Sequence, residues 1–219
     1  MITSKEKIRK LLEEKKYDEL IKLYSGDRRI LNLLISLTYD KQSLVCWHAI
    51  EAIGKVTKEI AKVNPDLVRN TIGRLLWMIR DESGGIGWSS PEILGEIVRN
   101  NSELFQDIAP IIVSFLDEEM LSAGVLWAIG RIGGVSAGLV EDAISVILPY
   151  LNNPDQTLRG LAVWALGEIG ASENIGEMEK LRNDNNYITF YDEGELTRKT
   201  VGDITEEAIT KLVKGQEIQ

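Results

Sequence analysis

Cysteine and histidine are nearly absent from this 219-residue sequence, with one residue of each. An internal disulfide is therefore excluded, and so are zinc sites built from clusters of cysteine and histidine. Long apolar runs are also missing: the run from Ala109 to Phe115 is broken within about eight residues, against the roughly 20 that a bilayer-spanning helix needs. The N-terminal stretch MITSKEKIRK lacks the apolar region of a secretory signal. We expect a cytoplasmic protein that does not contact membranes.

Basic residues are outnumbered: 25 Lys and Arg stand against 34 Asp and Glu, for a net charge of −9. This balance argues against nucleic acid as a partner, because such proteins carry a basic surface. The acids are unevenly spread. Residues 1–80 hold 16 basic and 10 acidic residues, residues 81–195 hold 5 and 20, and residues 196–219 hold four of each. We therefore expect a protein partner with a basic surface to bind the later part of the chain.

Four similar segments recur along the chain, each with a glycine at the same position. The glycines are separated by 41, 35 and 37 residues, a period that fits a pair of helices plus two turns. Each segment predicts the second helix of such a pair, here called a B helix, and a glycine inside it indicates a closely packed neighbouring helix. The segments are WHAIEAIGKV (Gly54), WSSPEILGEIV (Gly95), AGVLWAIGRIG (Gly130) and GLAVWALGEIG (Gly167).

Amphipathic first helices, called A helices, are predicted between the B helices. Their apolar positions lie in 30–37, 67–79, 104–115 and 139–148, and Pro110 should kink the third of them. The prolines of Asn64-Pro65, Ser90-Pro91 and Asn153-Pro154 follow capping residues and predict helix starts.

The segment PDQTLRGLAVWALGEIG, Pro154 to Gly170, resembles the second helix of a HEAT repeat, and more narrowly the short type of the phycobilin-lyase-related proteins. The resemblance covers about residues 28–183 and includes the Asp155/Arg159 pair that such repeats often carry. It implies an all-α fold: a right-handed α-α superhelix, or HEAT-like solenoid, of about four helix pairs. Such repeats serve many binding roles.

Both ends of the chain differ from the repeats. Two short amphipathic helices are expected between Ser4 and Tyr24, and an alternating pattern from Tyr187 to Val201 around Asp192-Glu193-Gly194 predicts a β-hairpin. Ile188, Phe190 and Leu196 should face the last repeat, and Asp203 should cap a closing helix through Val213. We expect one domain, 1–219, with an N-terminal helical cap (1–27), repeats (28–183) and a C-terminal cap of hairpin plus helix (184–219). The hairpin edge is alternatively a place for a partner strand.

One stripe of each B helix lies opposite its apolar face and contains one tryptophan, although the chain has only five. If B helices line a concave groove, these side chains form a Trp/Glu ridge that binds a partner, since tryptophan is enriched at binding hot spots. Alternatively, the rings pack over small neighbours such as Ala123 and Gly160, and a structure without an accessible ring would contradict the ridge. The predicted partner-binding residues are Trp47, Glu51, Trp88, Glu92, Glu96, Trp127, Arg131, Trp164 and Glu168.

Charges alternate at one position of the stripe, through Lys55, Glu96, Arg131 and Glu168. They predict a ladder of ion pairs between adjacent repeats or, alternatively, a polar rim around the ridge. The glycine-rich stretch from Asp81 to Trp88 is either a long turn or a binding site; it lacks a nucleotide-binding pattern and its acids repel anions.

Enzymatic alternatives stay open. Cys46 and His48 lie about 200° apart on a helix, so they cannot form a nucleophile–base pair, and we expect a core cysteine and a histidine at the edge. The resemblance allows phycobilin-lyase-like activity or tetrapyrrole binding, and HEAT-like DNA glycosylases share the architecture but need a positive groove. We favour a non-catalytic protein-binding scaffold without a cofactor, whose partner carries basic and apolar residues.

Overall fold

A computed structural model describes residues 4–26, 29–80 and 89–216. The chain divides into two compact units, Met1–Gln106 (unit 1) and Asp107–Gln219 (unit 2). Whether the whole chain acts as one domain stays a prediction.

Unit 1 is helical throughout its described part, and two of its helices begin directly after side chains that cap them. The Ser4 hydroxyl accepts a hydrogen bond from the Lys7 N–H at 3.2 Å, and the Asn64 side chain accepts one from the Leu67 N–H at 3.1 Å, directly before Pro65. The helices are α1 (Lys5–Glu13), α2 (Tyr17–Gly26), α3 (Ile30–Ile35), α4 (Leu44–Ala61), α5 (Pro65–Arg80), α6 (Ser90–Asn100) and α7 (Ser102–Phe105).

Helix α4 forms the centre of unit 1, packing against α1, α2, α3, α5 and α6. Thirteen of its 18 residues are buried. Cys46 lies in this core at 1% exposure, as predicted. The prediction that His48 lies at the edge is wrong: it is 2% exposed, and its Nδ1 lies 2.8 Å from the Leu12 carbonyl oxygen. The packing of α1 over α4 buries the ring.

Unit 2 keeps long B helices but breaks up the predicted A helices. The helices are α8 (Ala109–Val113), α9 (Ser122–Ser136), α10 (Ile144–Ile147), α11 (Gln156–Ile169), α12 (Ile175–Met178) and α13 (Val201–Gln216). The A helix that Pro110 was expected to kink is interrupted instead: a 3₁₀ turn, Gln106–Ile108, separates α7 from α8. Further 3₁₀ turns flank α10, at Glu141–Ala143 and Leu148–Asn152.

Helix α11 begins later than predicted. Asp155 is its N-cap and accepts a hydrogen bond from the Thr157 N–H at 2.7 Å, while Asn153 accepts one from the Asp155 N–H at 2.9 Å. The Asp155 carboxylate therefore caps its own helix. The guanidinium of Arg159 lies 2.7 Å from a carboxylate oxygen of Asp184, and these side chains are 14% and 10% exposed.

The predicted β-hairpin is confirmed. Strands β1 (Tyr187–Asp192) and β2 (Glu195–Thr200) pair antiparallel, from Tyr187 with Thr200 to Asp192 with Glu195. Glu193 and Gly194 form the two-residue turn, with φ angles of 47° and 87°. Positive φ at both positions is what a type I′ hairpin turn requires.

The hairpin leads directly into α13. Thr200 and Asp203 form a reciprocal capping box, in which each side chain accepts a 3.0 Å hydrogen bond from the other's backbone N–H. Asp203 therefore lies in the first turn and is not itself the N-cap, and the helix runs beyond the predicted Val213 to Gln216. Among the described residues, no helix is both long and apolar enough to cross a membrane.

Candidate functional site

Three of the repeated glycines, Gly54, Gly130 and Gly167, lie at close helix contacts, as predicted. A Cβ atom on Gly54 of α4 would lie 2.7 Å from the Glu96 carbonyl oxygen of α6, and one on Gly167 of α11 would lie 2.7 Å from the Ala208 Cβ of α13. In unit 2, a Cβ on Gly130 would overlap the ring of Trp164. Helices α4, α9 and α11 therefore each pack their repeated glycine closely against the next helix of their own unit.

The tryptophans of the predicted ridge are packing residues. Trp47 is 7% exposed, and its indole N–H donates to the Lys41 carbonyl oxygen at 2.8 Å. Trp127 is 1% exposed and donates to the Tyr191 carbonyl oxygen of β1 at 2.8 Å. Trp164 is 8% exposed, and its ring lies 5.8 Å from that of Phe190.

An accessible tryptophan ridge is therefore wrong for these three residues, because small neighbours and the hairpin leave the rings space to pack inside. Ile188 and Phe190 of the hairpin are buried at 3% and 4% exposure, and Leu196 is half-buried. The fourth tryptophan of the ridge, Trp88, lies outside the described residues, as does the glycine-rich stretch that ends at it.

The ridge glutamates of α6 are also buried. Glu92 and Glu96 are each 1% exposed. The Lys41 ammonium lies 2.5 Å from Glu92 Oε1, whereas Glu92 Oε2 has no hydrogen-bond partner within the described part of the chain. The Asn100 side chain donates to Glu96 Oε2 at 3.2 Å. These carboxylates are oriented by their own unit and do not form a solvent-exposed rim.

The remaining ridge residues are half-buried and already have neighbours. Glu51 accepts a hydrogen bond from the Tyr17 hydroxyl at 2.8 Å, and the Arg131 guanidinium lies 5.3 Å from the Trp127 ring centroid. Glu168 pairs with Lys211 of α13 at 2.6 Å. Lys55 lies over the Tyr17 ring, 5.0 Å from its centroid, and makes no ion pair with Glu96. The first pair of the predicted ladder, Lys55 with Glu96, is therefore missing among the described residues, and the other pairs stay predictions.

An acidic turn in unit 2 presents an exposed apolar side chain. Asp117, Glu118 and Glu119 are exposed, and Met120 beside them is 66% exposed. Two hydrogen bonds fix the start of this turn, because the Leu116 carbonyl oxygen accepts from the hydroxyls of Ser122 at 2.8 Å and Tyr150 at 2.7 Å. The exposed residues, 117–120, are here called the acidic turn.

An exposed tryptophan does exist, at a position that was not predicted as a site. Trp77 of α5 is 65% exposed. The apolar stripe of this helix runs through Val68, Ile72 and Leu75, all buried. Trp77 follows Leu75 by two positions, about 200° around the helix. Its place outside the apolar stripe is the sequence signal that could have identified it.

The described residues give no support to the enzymatic alternatives. Burial, followed by the charge of Glu92, raises the pKa of the Cys46 thiol to about 12, so this thiol is protonated near neutral pH and is a poor nucleophile. No group of three or more histidine, cysteine, aspartate or glutamate side chains suited to a metal ion lies within the described ranges. The indoles of Trp47, Trp127 and Trp164 are buried and offer no stacking surface for a tetrapyrrole.

Recurrent B helices, glycine contacts at a fixed helix position and a capping hairpin define an α-helical repeat protein. A family model described as a HEAT-like repeat matches residues 123–169, which span α9 to α11. An uncharacterized protein from Archaeoglobus fulgidus is 30% identical over 178 residues, covering 78% of this chain and 91% of that protein. The chain belongs to the HEAT-like repeat proteins. The narrower phycobilin-lyase-related type has no support among these matches.

Solved structures agree on the fold. A designed armadillo repeat protein superimposes with a TM-score of 0.54 at 19% identity, covering 95% of this chain and 92% of that one. An engineered protein superimposes with a TM-score of 0.55 at 17% identity, covering 98% of both chains. The mostly helical repeat fold predicted from the sequence is confirmed.

Proposed function

We propose that this protein is a non-catalytic scaffold whose unit 2 binds a protein partner with a basic and apolar surface. HEAT-like repeat folds offer extended surfaces that suit such a role. The observation that carries the proposal is the acidic turn, where Met120 is 66% exposed beside three exposed acids.

The charge of unit 2 supports a basic partner. Residues 107–219 contain 19 acidic and 8 basic residues. An excess of one sign attracts a partner of the opposite sign and increases its association rate. The apolar side chain of Met120 beside these acids supplies surface that can be desolvated on binding, whereas exposed charges mainly set orientation and rate.

The backbone beneath the acidic turn is already ordered. The Ser122 hydroxyl donates to the carbonyl oxygens of Leu116 and Glu118 at 2.8 and 3.0 Å, and the Leu121 N–H donates to the Glu118 carbonyl oxygen at 2.7 Å. A turn fixed in this way loses little conformational entropy when a partner docks.

The proposal is tested by affinity capture with the full chain as bait, followed by titration of the purified captured protein. Charge reversal by Glu118→Lys with Glu119→Lys should weaken its binding at least tenfold, mainly through slower association, and Met120→Ala should weaken it through faster dissociation. Added salt should slow association to the wild-type chain.

Matched controls separate a local contact from general electrostatics. Glu141→Lys with Glu173→Lys makes the same change in charge at exposed sites elsewhere in unit 2, and Val213→Ala truncates another exposed apolar residue (43% exposed). Both controls should bind within twofold of wild type. Equal losses in the control and acidic-turn variants would contradict binding at the acidic turn.

A further inference from the structure

Helix α5 of unit 1 has an exposed face whose composition differs from that of the acidic turn. Asn70, Gly73, Arg74, Trp77 and Arg80 are all exposed on this helix, and together they are here called the α5 face. The opposite side of the helix is deeply buried, through Val68, Ile72 and Leu75 at 0–1% exposure. The core of unit 1 is therefore complete without Trp77.

The α5 face combines an aromatic ring with a notch. Gly73 precedes Trp77 by four residues, so the two positions are neighbours on the helix surface. Among the described residues, no heavy atom lies within 4 Å of the position that a Cβ on Gly73 would occupy. Gly73 thus leaves open space beside the Trp77 ring, into which an incoming apolar side chain can pack.

Arginines flank the ring on both sides. Arg74 and Arg80 each lie three residues from Trp77, which places a guanidinium on the neighbouring helical turn in either direction. Arg74 makes one long hydrogen bond in the described structure, 3.4 Å from its Nη1 to Asn32 Oδ1. An arginine held this loosely can turn to a carboxylate, which it binds through two parallel hydrogen bonds.

We infer that the α5 face docks an acidic protein segment that carries a large apolar side chain. The apolar side chain packs against Trp77 over Gly73, and a carboxylate beside it pairs with Arg74. Exposed tryptophan and arginine are the residue types most enriched among binding hot spots. This surface is separate from the acidic turn and of opposite charge, so the inference does not depend on the proposed function.

Charge favours a protein segment over nucleic acid as the occupant. Residues 1–106 contain 17 basic and 15 acidic residues, an excess of only two. Nucleic-acid affinity comes largely from many phosphate contacts, often six to ten. The α5 face provides two arginines, enough for a few carboxylates beside an apolar anchor but too few to follow a phosphate backbone.

Display selection of random 16-residue peptides on the full chain tests the inference, with counter-selection against the Trp77→Ala variant. Enriched peptides should contain several Asp or Glu residues around a Phe, Leu or Trp. An enriched peptide should bind Trp77→Ala and Arg74→Glu at least tenfold more weakly than wild type, and should shift a tryptophan fluorescence signal that Trp77→Phe lacks.

Two controls account for fold and charge. Val63→Ala truncates another exposed side chain, 88% exposed, and Lys58→Glu reverses an exposed charge on α4; both should bind the peptide within twofold of wild type. Each variant should melt within a few degrees of wild type, because none of these side chains lies in the core.

Other results would overturn the inference. These are no enrichment, enrichment of basic peptides, or peptide binding that Lys58→Glu weakens as much as Arg74→Glu. A single-stranded 20-nucleotide DNA that binds more tightly than the peptide and requires Trp77 would identify nucleic acid as the occupant. Self-association on concentration that is lost in both Trp77→Ala and Met120→Ala would identify a second copy of this chain.

Discussion

The two units use the tryptophans of their B helices in different ways. In unit 1 the Trp47 indole donates to a carbonyl only six residues away, at Lys41. In unit 2 the Trp127 indole donates to Tyr191, 64 residues away on the hairpin, and the two rings lie 6.3 Å apart. A local contact fixes one turn, whereas a long-range contact joins a repeat to the C-terminal cap. The hairpin is therefore part of the core of unit 2.

The surfaces of the two units differ in charge and in the apolar side chain that they expose. Unit 1 has nearly balanced charges and exposes an aromatic ring among arginines, while unit 2 is acidic and exposes a methionine among carboxylates. Two units of related repeat architecture thus expose side chains of opposite charge beside an apolar one. Three stability measurements test which side chains belong to the interior and which to the surface.

The largest expected effect comes from replacing a buried ring. Trp127→Ala should lower the free energy of unfolding by about 3–5 kcal/mol, because it leaves a cavity and removes a donor from the Tyr191 carbonyl. Trp77→Ala, the exposed counterpart in unit 1, should change it by no more than about 0.5 kcal/mol. Urea denaturation of both variants measures the contrast. Similar losses at the two positions would contradict the assignment of Trp127 to the core.

A smaller effect on stability distinguishes two aspartates of unit 2, because their contributions depend on pH in opposite ways. Burial alone would raise the pKa of Asp184, but hydrogen bonds from the Asn186 N–H and the Arg159 side chain outweigh burial and lower it. Its ionised form therefore stabilises the fold above the usual aspartate pKa, and this contribution is lost as pH falls through the lowered pKa. Asp184→Asn should cost about 1.5–3 kcal/mol at pH 7, and much less once the carboxyl is protonated.

Asp192 should show the opposite sign. Burial, followed by the charges of Glu168 and Glu193, raises its pKa, so the stability linked to its protonated form is lost as pH rises through the raised pKa. Asp192→Asn should therefore raise the urea midpoint at pH 7 and change little below about pH 3, under the unfolded pKa. Effects of the same sign for both variants at pH 7 would show that the two environments have been misassigned.

The smallest effect distinguishes two glycines of unit 1. Gly54→Ala should destabilise by about 1–2 kcal/mol, because the added methyl meets the backbone of α6 and this strain exceeds the gain in helix propensity. Gly73→Ala should instead stabilise by up to about 1 kcal/mol, since the position is helical and open. Thermal melts of the two variants provide the measurement. Destabilisation by Gly73→Ala would mean that the notch on α5 is already filled.

The repeat positions could be predicted from the sequence because each has a local signature. The spacing of Gly54, Gly130 and Gly167 identified the close helix contacts, and Asp192-Glu193-Gly194 identified the hairpin turn. Burial of the ridge could not be predicted, because an angle of 100° per residue separates the faces of one helix without saying how many neighbours surround it. Helix α6 is buried all round from Ser90 to Val98, so its two glutamates lie inside despite their charge.

Contacts between side chains that lie far apart in the sequence could not be predicted either. The resemblance pointed to Asp155 and Arg159 as residues typical of these repeats, but it did not indicate that Asp155 caps its own helix or that Arg159 pairs with Asp184, 25 residues away. Trp77 escapes sequence analysis for a different reason. The apolar stripe of α5 predicts the buried face of the helix, whereas an exposed binding residue is an apolar one that lies outside this stripe.

The lone thiol makes unit 1 observable independently of unit 2. Cys46 is the only cysteine of the chain and is 1% exposed, and its pKa of about 12 leaves almost no thiolate at neutral pH. A thiol reagent therefore reacts only when α4 separates from its neighbours, and with fast reclosing its rate reports the free energy of that opening. The rate at which Cys46 of the wild-type protein reacts therefore measures the opening of unit 1, and the effect of a ligand at the α5 face on that opening can be read from the same rate.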